Sequence, residues 1–138
     1  MITKRGISPF FTLNGTAEQA MNYYAANLPG AQITSLERFG KDHPFAEPAE
    51  QNKVRHGSIN FMGQELMFMD MDAAHPAPDL IWSTSVLVAC QDEAEFDAIF
   101  GALSNGGAVM MGPEPVPPLR KVAWVTDQFG VTWQPVWE

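Results

Sequence analysis

Pro9-Phe10-Phe11-Thr12-Leu13-Asn14-Gly15-Thr16-Ala17-Glu18-Gln19-Ala20-Met21-Asn22-Tyr23-Tyr24 is the stretch that decides the fold. Its first part continues an apolar run begun at Ile7 and stops at Asn14-Gly15, which reads as a strand followed by a turn. Thr16 then opens a helix. With Gln19 three residues on it makes a capping-box pattern, and Ala17, Ala20, Met21, Tyr24 and Leu28 recur at helical spacing. Pro29-Gly30 stops that helix. Outward from here, residues 32–39 read as a second strand and 40–52 as a polar, proline-bearing loop. Residues 53–61 and 65–71 make a hairpin about Met62-Gly63.

Beyond residues 72–79 the same order returns. Residues 80–89 are strand-like, and Asp92 with Glu95 repeats the cap pattern. Phe96, Ile99, Phe100 and Leu103 form the apolar face of a second helix, and Asn105-Gly106-Gly107 ends it. Asp92, Glu93, Glu95 and Asp97 crowd its first turns, where the helix dipole favours negative charge, so the cluster has a structural reason before any metal-binding one. Strands are expected over 108–111, 122–126 and 131–137, and the loop 112–118 matches 40–52. Tyr24 falls on Ile99, Met21 on Phe96 and Leu28 on Leu103, a period of 75 residues. Each half therefore reads strand–helix–strand–strand–strand: modules 7–71 and 81–137, joined by the linker 72–79, in one domain spanning 1–138.

Composition narrows the function classes. A chain of 138 residues with 46% apolar and 17% charged residues suits one globular domain. No apolar run approaches the roughly 20 residues of a membrane span, so no membrane role is expected. Met1-Ile2-Thr3-Lys4-Arg5 lacks the apolar stretch of a secretory signal, and the expected location is cytoplasmic. Cys90 is the only cysteine, which excludes an internal disulfide and a multi-cysteine zinc site. The net charge is −8: residues 1–69 balance six acids with six bases, whereas 70–138 carry ten acids against Arg120 and Lys121. Such a surface repels phosphate backbones, so nucleic acid is not an expected partner.

A second stretch joins the first: Trp124-Val125-Thr126-Asp127-Gln128-Phe129-Gly130-Val131-Thr132-Trp133-Gln134-Pro135-Val136. With the βαβββ repeat, the two resemble the glyoxalase/bleomycin-resistance/dioxygenase (vicinal oxygen chelate) superfamily, and within it the PhnB-like, demethylubiquinone methyltransferase-like branch. The resemblance implies an α+β fold in which two βαβββ modules form a curled mixed sheet with a cleft. It also implies a homodimer. Function is not implied by the fold alone, since the superfamily hosts lyases, isomerases, dioxygenases and drug-sequestering proteins.

In its metal-using members, four side chains from the strands hold one divalent ion with positions left open for substrate. Here the usual first-strand histidine falls near Pro9 or Phe11, which cannot coordinate. The acid closing the first half falls on Asp70, an ordinary ligand. The second histidine falls among Ser83, Thr84 and Ser85, and the last-strand glutamate becomes Gln134, a poor donor beside a carboxylate. No metal and no cofactor are expected.

The remaining residues are weighed on their own chemistry. His56 shares a face with Val54, Ser58 and Asn60 by period-two alternation, a polar stripe that suits either a cleft wall or a solvated sheet surface. As a base near neutral pH it can support a metal-free isomerase. His43 and His75 lie in proline-rich loops. Cys90 follows an apolar strand and reads as a small buried hydrophobe. Met67, Phe68, Met69 and Met71 read first as core, although methionines also adapt to apolar ligands. Trp133 and Gln134 must face opposite ways, and the resemblance, which puts Gln134 at a ligand position, implies that Gln134 takes the cleft. No glycine-rich phosphate loop, nucleophile elbow or S-adenosylmethionine loop is present, so a methyltransferase reading has no support. The expected function is therefore binding of a small apolar or aromatic molecule by Phe11, His56, Trp82, Ser85, Trp124 and Gln134. The alternatives are a metal-dependent lyase or dioxygenase-like enzyme around Asp70, or an isomerase using His56.

Overall fold

The computed structural model describes residues 5–41 and 47–138. The chain divides into two compact units, Met1–Ala26 with Gly30–Pro78 and Asn27–Pro29 with Asp79–Glu138.

The first unit runs β1 (Phe10–Leu13), α1 (Ala17–Asn27), β2 (Gln32–Arg38), β3 (Val54–Phe61) and β4 (Gln64–Asp70), with a single 3-10 turn at Pro48–Glu50. The strands lie in the order β1-β4-β3-β2. β1 runs parallel to β4 and the other pairs are antiparallel. The Met62-Gly63 turn is as expected, with both residues at positive φ as a two-residue hairpin loop requires. α1 packs on one face of this sheet. Tyr24 lies over Phe68 (ring centroids 5.9 Å) and Phe11 sits beside the same ring at 5.5 Å. Gly57 admits Met21: a Cβ there would stand 2.5 Å from the Met21 sulfur.

The second unit repeats the order as β5 (Val86–Cys90), α2 (Glu93–Ser104), β6 (Ala108–Val116), β7 (Leu119–Thr126) and β8 (Thr132–Trp137), with strand order β5-β8-β7-β6. Again the outer strand β5 runs parallel to its neighbour. The Asp92 side chain accepts the Glu95 N–H at 2.8 Å, and the Glu95 carboxylate accepts the Gln91 N–H at 3.0 Å, so the expected cap forms. Phe96, Ile99 and Leu103 are fully buried beneath it. The surrounding acids have a local partner, Lys121, whose ammonium bridges Glu93 and Asp97.

Three expectations are corrected. Strand β5 starts at Val86, not residue 80, because its ladder with β8 begins at Val86 and the preceding Trp82-Ser83-Thr84 forms a turn. β6 does not stop at Met111 but continues to Val116 through Gly112-Pro113 and Pro115, with register shifts at Met111 and Glu114. An edge strand needs only one row of ladder donors, so prolines are tolerated there, and Gly112 at positive φ absorbs the bulge. Lastly, Val54 does not share a face with His56. A register shift between Glu37 and Arg38 turns fully buried Val54 to the helix side, close to Gly57.

Candidate functional site

Each sheet has one face under its helix and one helix-free face, and strand parity decides which side chains reach the latter. In the second unit Trp133 is on the helix side, completely buried, with its indole N–H donating to Asp127 at 2.9 Å. Gln134 is therefore on the helix-free face. The β7–β8 register places Trp124 across from it on the same side. The Gln134 amide donates to the Ser85 hydroxyl at 2.6 Å. Trp82, 58% exposed, meets Trp124 edge-on with ring centroids 5.9 Å apart. Four of the six expected residues are thus brought together: Trp82, Ser85, Trp124 and Gln134. The Trp124 indole N–H is buried and has no hydrogen-bond partner among the described residues. Leu87, 59% exposed and paired in register with Gln134, adds apolar surface beside them.

In the first unit the parity falls on the other phenylalanine. Phe11 is buried against Phe68 under α1, whereas Phe10 takes the helix-free face, 45% exposed, with its ring 6.3 Å from that of His56. No sequence signal separates two adjacent phenylalanines in a four-residue strand. Both ring nitrogens of His56 are buried without a partner among the described residues. Its neighbours on this face are Ser58, bonded to the hydroxyls of Thr34 (2.7 Å) and Ser35 (2.8 Å), and Met67, the register partner of both Phe10 and Ser58.

Asp70 serves the fold. It is 1% exposed on the helix side, where one carboxylate oxygen accepts the N–H groups of Gly15 (2.8 Å) and Ala17 (3.0 Å) and the other that of Val54 (3.0 Å). It caps α1 from a distant strand, using the charge that a helix N-terminus favours. Asp127 does similar work in the second unit, accepting from Phe129, Val131 and Trp133 to hold the β7–β8 turn. With Asp70 committed to backbone donors and turned from the helix-free face, the family's ligand positions offer a phenylalanine, hydroxyls and one amide. That donor set does not fit a four-ligand divalent site. Among the described residues, no group of three or more His, Cys, Asp and Glu side chains is placed to hold a metal.

The other titratable candidates are accounted for locally. The imidazole of His75 lies 3.0 Å from the Asp72 carboxylate, and this hydrogen bond holds Asp72 below the usual carboxylate range. His43 lies outside the described residues. Cys90 is buried, and that burial, reinforced by the Glu95 charge, pushes its thiol up to about 11, which keeps it protonated and unreactive at neutral pH.

Comparison with known proteins agrees with this architecture. Residues 5–136 match the family described as 3-demethylubiquinone-9 3-methyltransferase. A PhnB protein of Bacillus cereus is 30% identical, over 97% of this chain and 100% of its own, with a TM-score of 0.80. The protein PA1353 of Pseudomonas aeruginosa is 27% identical over 98% of both chains, with a TM-score of 0.86. A glyoxalase/bleomycin resistance protein of Albidiferax ferrireducens, 17% identical over 96% of this chain and 98% of its own, shares the fold with a TM-score of 0.61. No curated protein matches the chain. The matched family over residues 5–136 and the PhnB protein at 30% identity show that the chain belongs to the PhnB-like, 3-demethylubiquinone-9 3-methyltransferase family, with the fold of the glyoxalase/bleomycin resistance proteins.

Proposed function

We propose that this protein binds a small apolar or aromatic molecule, without a metal, at the helix-free faces of its sheets. The carrying observation is the Trp124 N–H, desolvated and unpaired inside a cluster of Trp82, Ser85 and Gln134. A buried donor without a partner costs about 1–3 kcal/mol, which an incoming acceptor recovers. Two indoles supply flat apolar contact and the amide–hydroxyl pair supplies orientation, the usual division of labour in a small-molecule site. Trp82 is the exposed member of the cluster, its ring edge-on to that of Trp124. The methyltransferase activity in the family's description is not carried over, because no S-adenosylmethionine loop is present in the sequence.

The test uses coumarin, an aromatic with a carbonyl acceptor, and naphthalene, which lacks one. In nuclear magnetic resonance spectra of the labelled protein, coumarin should move the Trp124 indole N–H resonance downfield, as a new hydrogen bond does, and should bind more tightly than naphthalene. Trp124→Phe should abolish that preference. No movement of the indole signal up to the solubility of coumarin overturns the reading. Elemental analysis of untagged protein supplies the other arm, since about one zinc, nickel, iron or manganese per chain would move the assignment to a metal-dependent lyase or dioxygenase-like enzyme.

A second reading, a metal-free isomerase, is favoured by the two unpartnered nitrogens of His56, which leave the imidazole free to take a substrate proton. Proton exchange from a bound substrate that disappears in His56→Gln would support it. We also propose that the two units act as one domain and that two chains pair. Exposed Leu87, Val109, Met110 and Val116 support pairing by calling for cover, and a concentration-independent monomer mass would sink it. Among the described residues, no helix is long and apolar enough to cross a membrane. A lone, buried cysteine supports a cytoplasmic location.

A further inference from the structure

Toward the β3–β4 turn, the helix-free face of the first sheet opens into a cavity of about 610 Å3, inside the size range of small-molecule sites. Phe10 and Met67 form its apolar floor, held side by side by the parallel β1–β4 register. Its walls carry Arg5, Asn60, Gln64 and Glu65, with Asn60 and Glu65 paired across the β3–β4 ladder.

The Gln64 amide donates to the carbonyls of Ile7 and Glu65. The hydroxyl of Ser8 donates to one Glu65 carboxylate oxygen at 3.1 Å. Thr34 is held by Ser58. Among the described residues, no hydrogen bond or ion pair takes up the Arg5 guanidinium, the Asn60 carboxamide or the second oxygen of Glu65. Arginine offers up to five donors in a planar fork, and an ionised carboxylate accepts several hydrogen bonds. The cavity therefore presents one cation, one anion and one neutral amide above an aromatic floor. A purely anionic ligand meets repulsion at Glu65, and a purely cationic one meets it at Arg5.

We propose that this cavity binds a zwitterion with an apolar side chain, an aromatic α-amino acid or a close derivative. Its carboxylate pairs with Arg5, its ammonium with Glu65 and Asn60, and its side chain covers Phe10 and Met67. The site shares no residue with the Trp124 cluster, so the two proposals stand or fall separately.

Three probes with one body and different heads test it: L-phenylalanine, phenethylamine and 3-phenylpropionate, titrated into the labelled full chain. Because charge-assisted contacts form at both ends only with the zwitterion, L-phenylalanine should bind roughly fivefold or more tighter than either analogue. Its shifts should fall at residues 5–10 and 60–67. Glu65→Gln should weaken L-phenylalanine and phenethylamine and spare 3-phenylpropionate, while Arg5→Gln should weaken L-phenylalanine and 3-phenylpropionate and spare phenethylamine. Both side chains are exposed, so the variants are expected to fold, which circular dichroism checks. Equal affinity for the three probes, preference for a singly charged one, shifts confined elsewhere, or no saturable shift up to about 10 mM overturns the proposal.

Discussion

Asp70→Ala is the most informative single perturbation, because two readings of Asp70 make opposite demands on it. In the structure its carboxylate holds three backbone N–H groups, and the bonds to Ala17 and Val54 are buried. Alanine leaves those two buried donors unsatisfied, at about 1–3 kcal/mol each. It also removes the cap of α1, worth about 0.5–2 kcal/mol. The terms overlap at Ala17, so the expected loss is about 3–5 kcal/mol, a large share of the 5–15 kcal/mol that holds a typical domain together. Asp70→Asn should cost about 2–3 kcal/mol, since its amide oxygen keeps one pair of bonds while its NH2 group meets a backbone donor. Urea unfolding followed by circular dichroism measures both, with an unchanged m-value confirming a stability effect. A loss below about 1 kcal/mol for alanine would refute the capping role. So would an asparagine variant of normal stability that had lost a bound metal, for that is how a ligand behaves.

Three further outcomes are expected. Gly57→Ala places a methyl 2.5 Å from the Met21 sulfur and 3.3 Å from Val54, so it should destabilise by about 1–3 kcal/mol. Met21→Ala alone should cost about 2–5 kcal/mol, and the double variant should fall short of the sum by at least about 1 kcal/mol, because the new methyl enters the space Met21 vacates. Asn14 pairs with both backbone groups of Ala77, at 3.0 and 2.8 Å, so Asn14→Ala should release residues 72–79. Faster hydrogen exchange at Ala77 with little change at Phe68 is the signature to look for. Cys90 should resist thiol reagents at pH 8 until urea is added. Its thiol ionises near 11 in the folded protein against 9.0 unperturbed, so the unfolded chain loses the proton first as pH rises. Stability from this group is therefore whole below pH 9 and lost between 9 and about 11, and Cys90→Ala should remove that part of the slope while leaving the part due to Lys121.

Local chemistry written along the chain was enough for the two βαβββ halves. The Met62-Gly63 turn, the Asp92–Glu95 cap and the apolar spacing of Phe96, Ile99 and Leu103 each depend on residues within a few positions of one another, and each is realised. The opposite facing of Trp133 and Gln134 follows from strand parity in the same way. What needed the tertiary structure are choices between locally equal options. Phe10 and Phe11 are alike in sequence, and only the register with β4 sends one to the helix and the other to His56. Asp70 resembles a ligand until its partners, 16 to 55 residues away, are seen to be backbone donors. Prolines 113 and 115 argue against a strand unless that strand is an edge, and edge position is a property of the sheet. The meeting of Trp82 with Trp124, and of Arg5 with Asn60 and Glu65 around one cavity, joins residues more than 40 positions apart. Such contacts are set by strand order, which no spacing of neighbouring residues encodes.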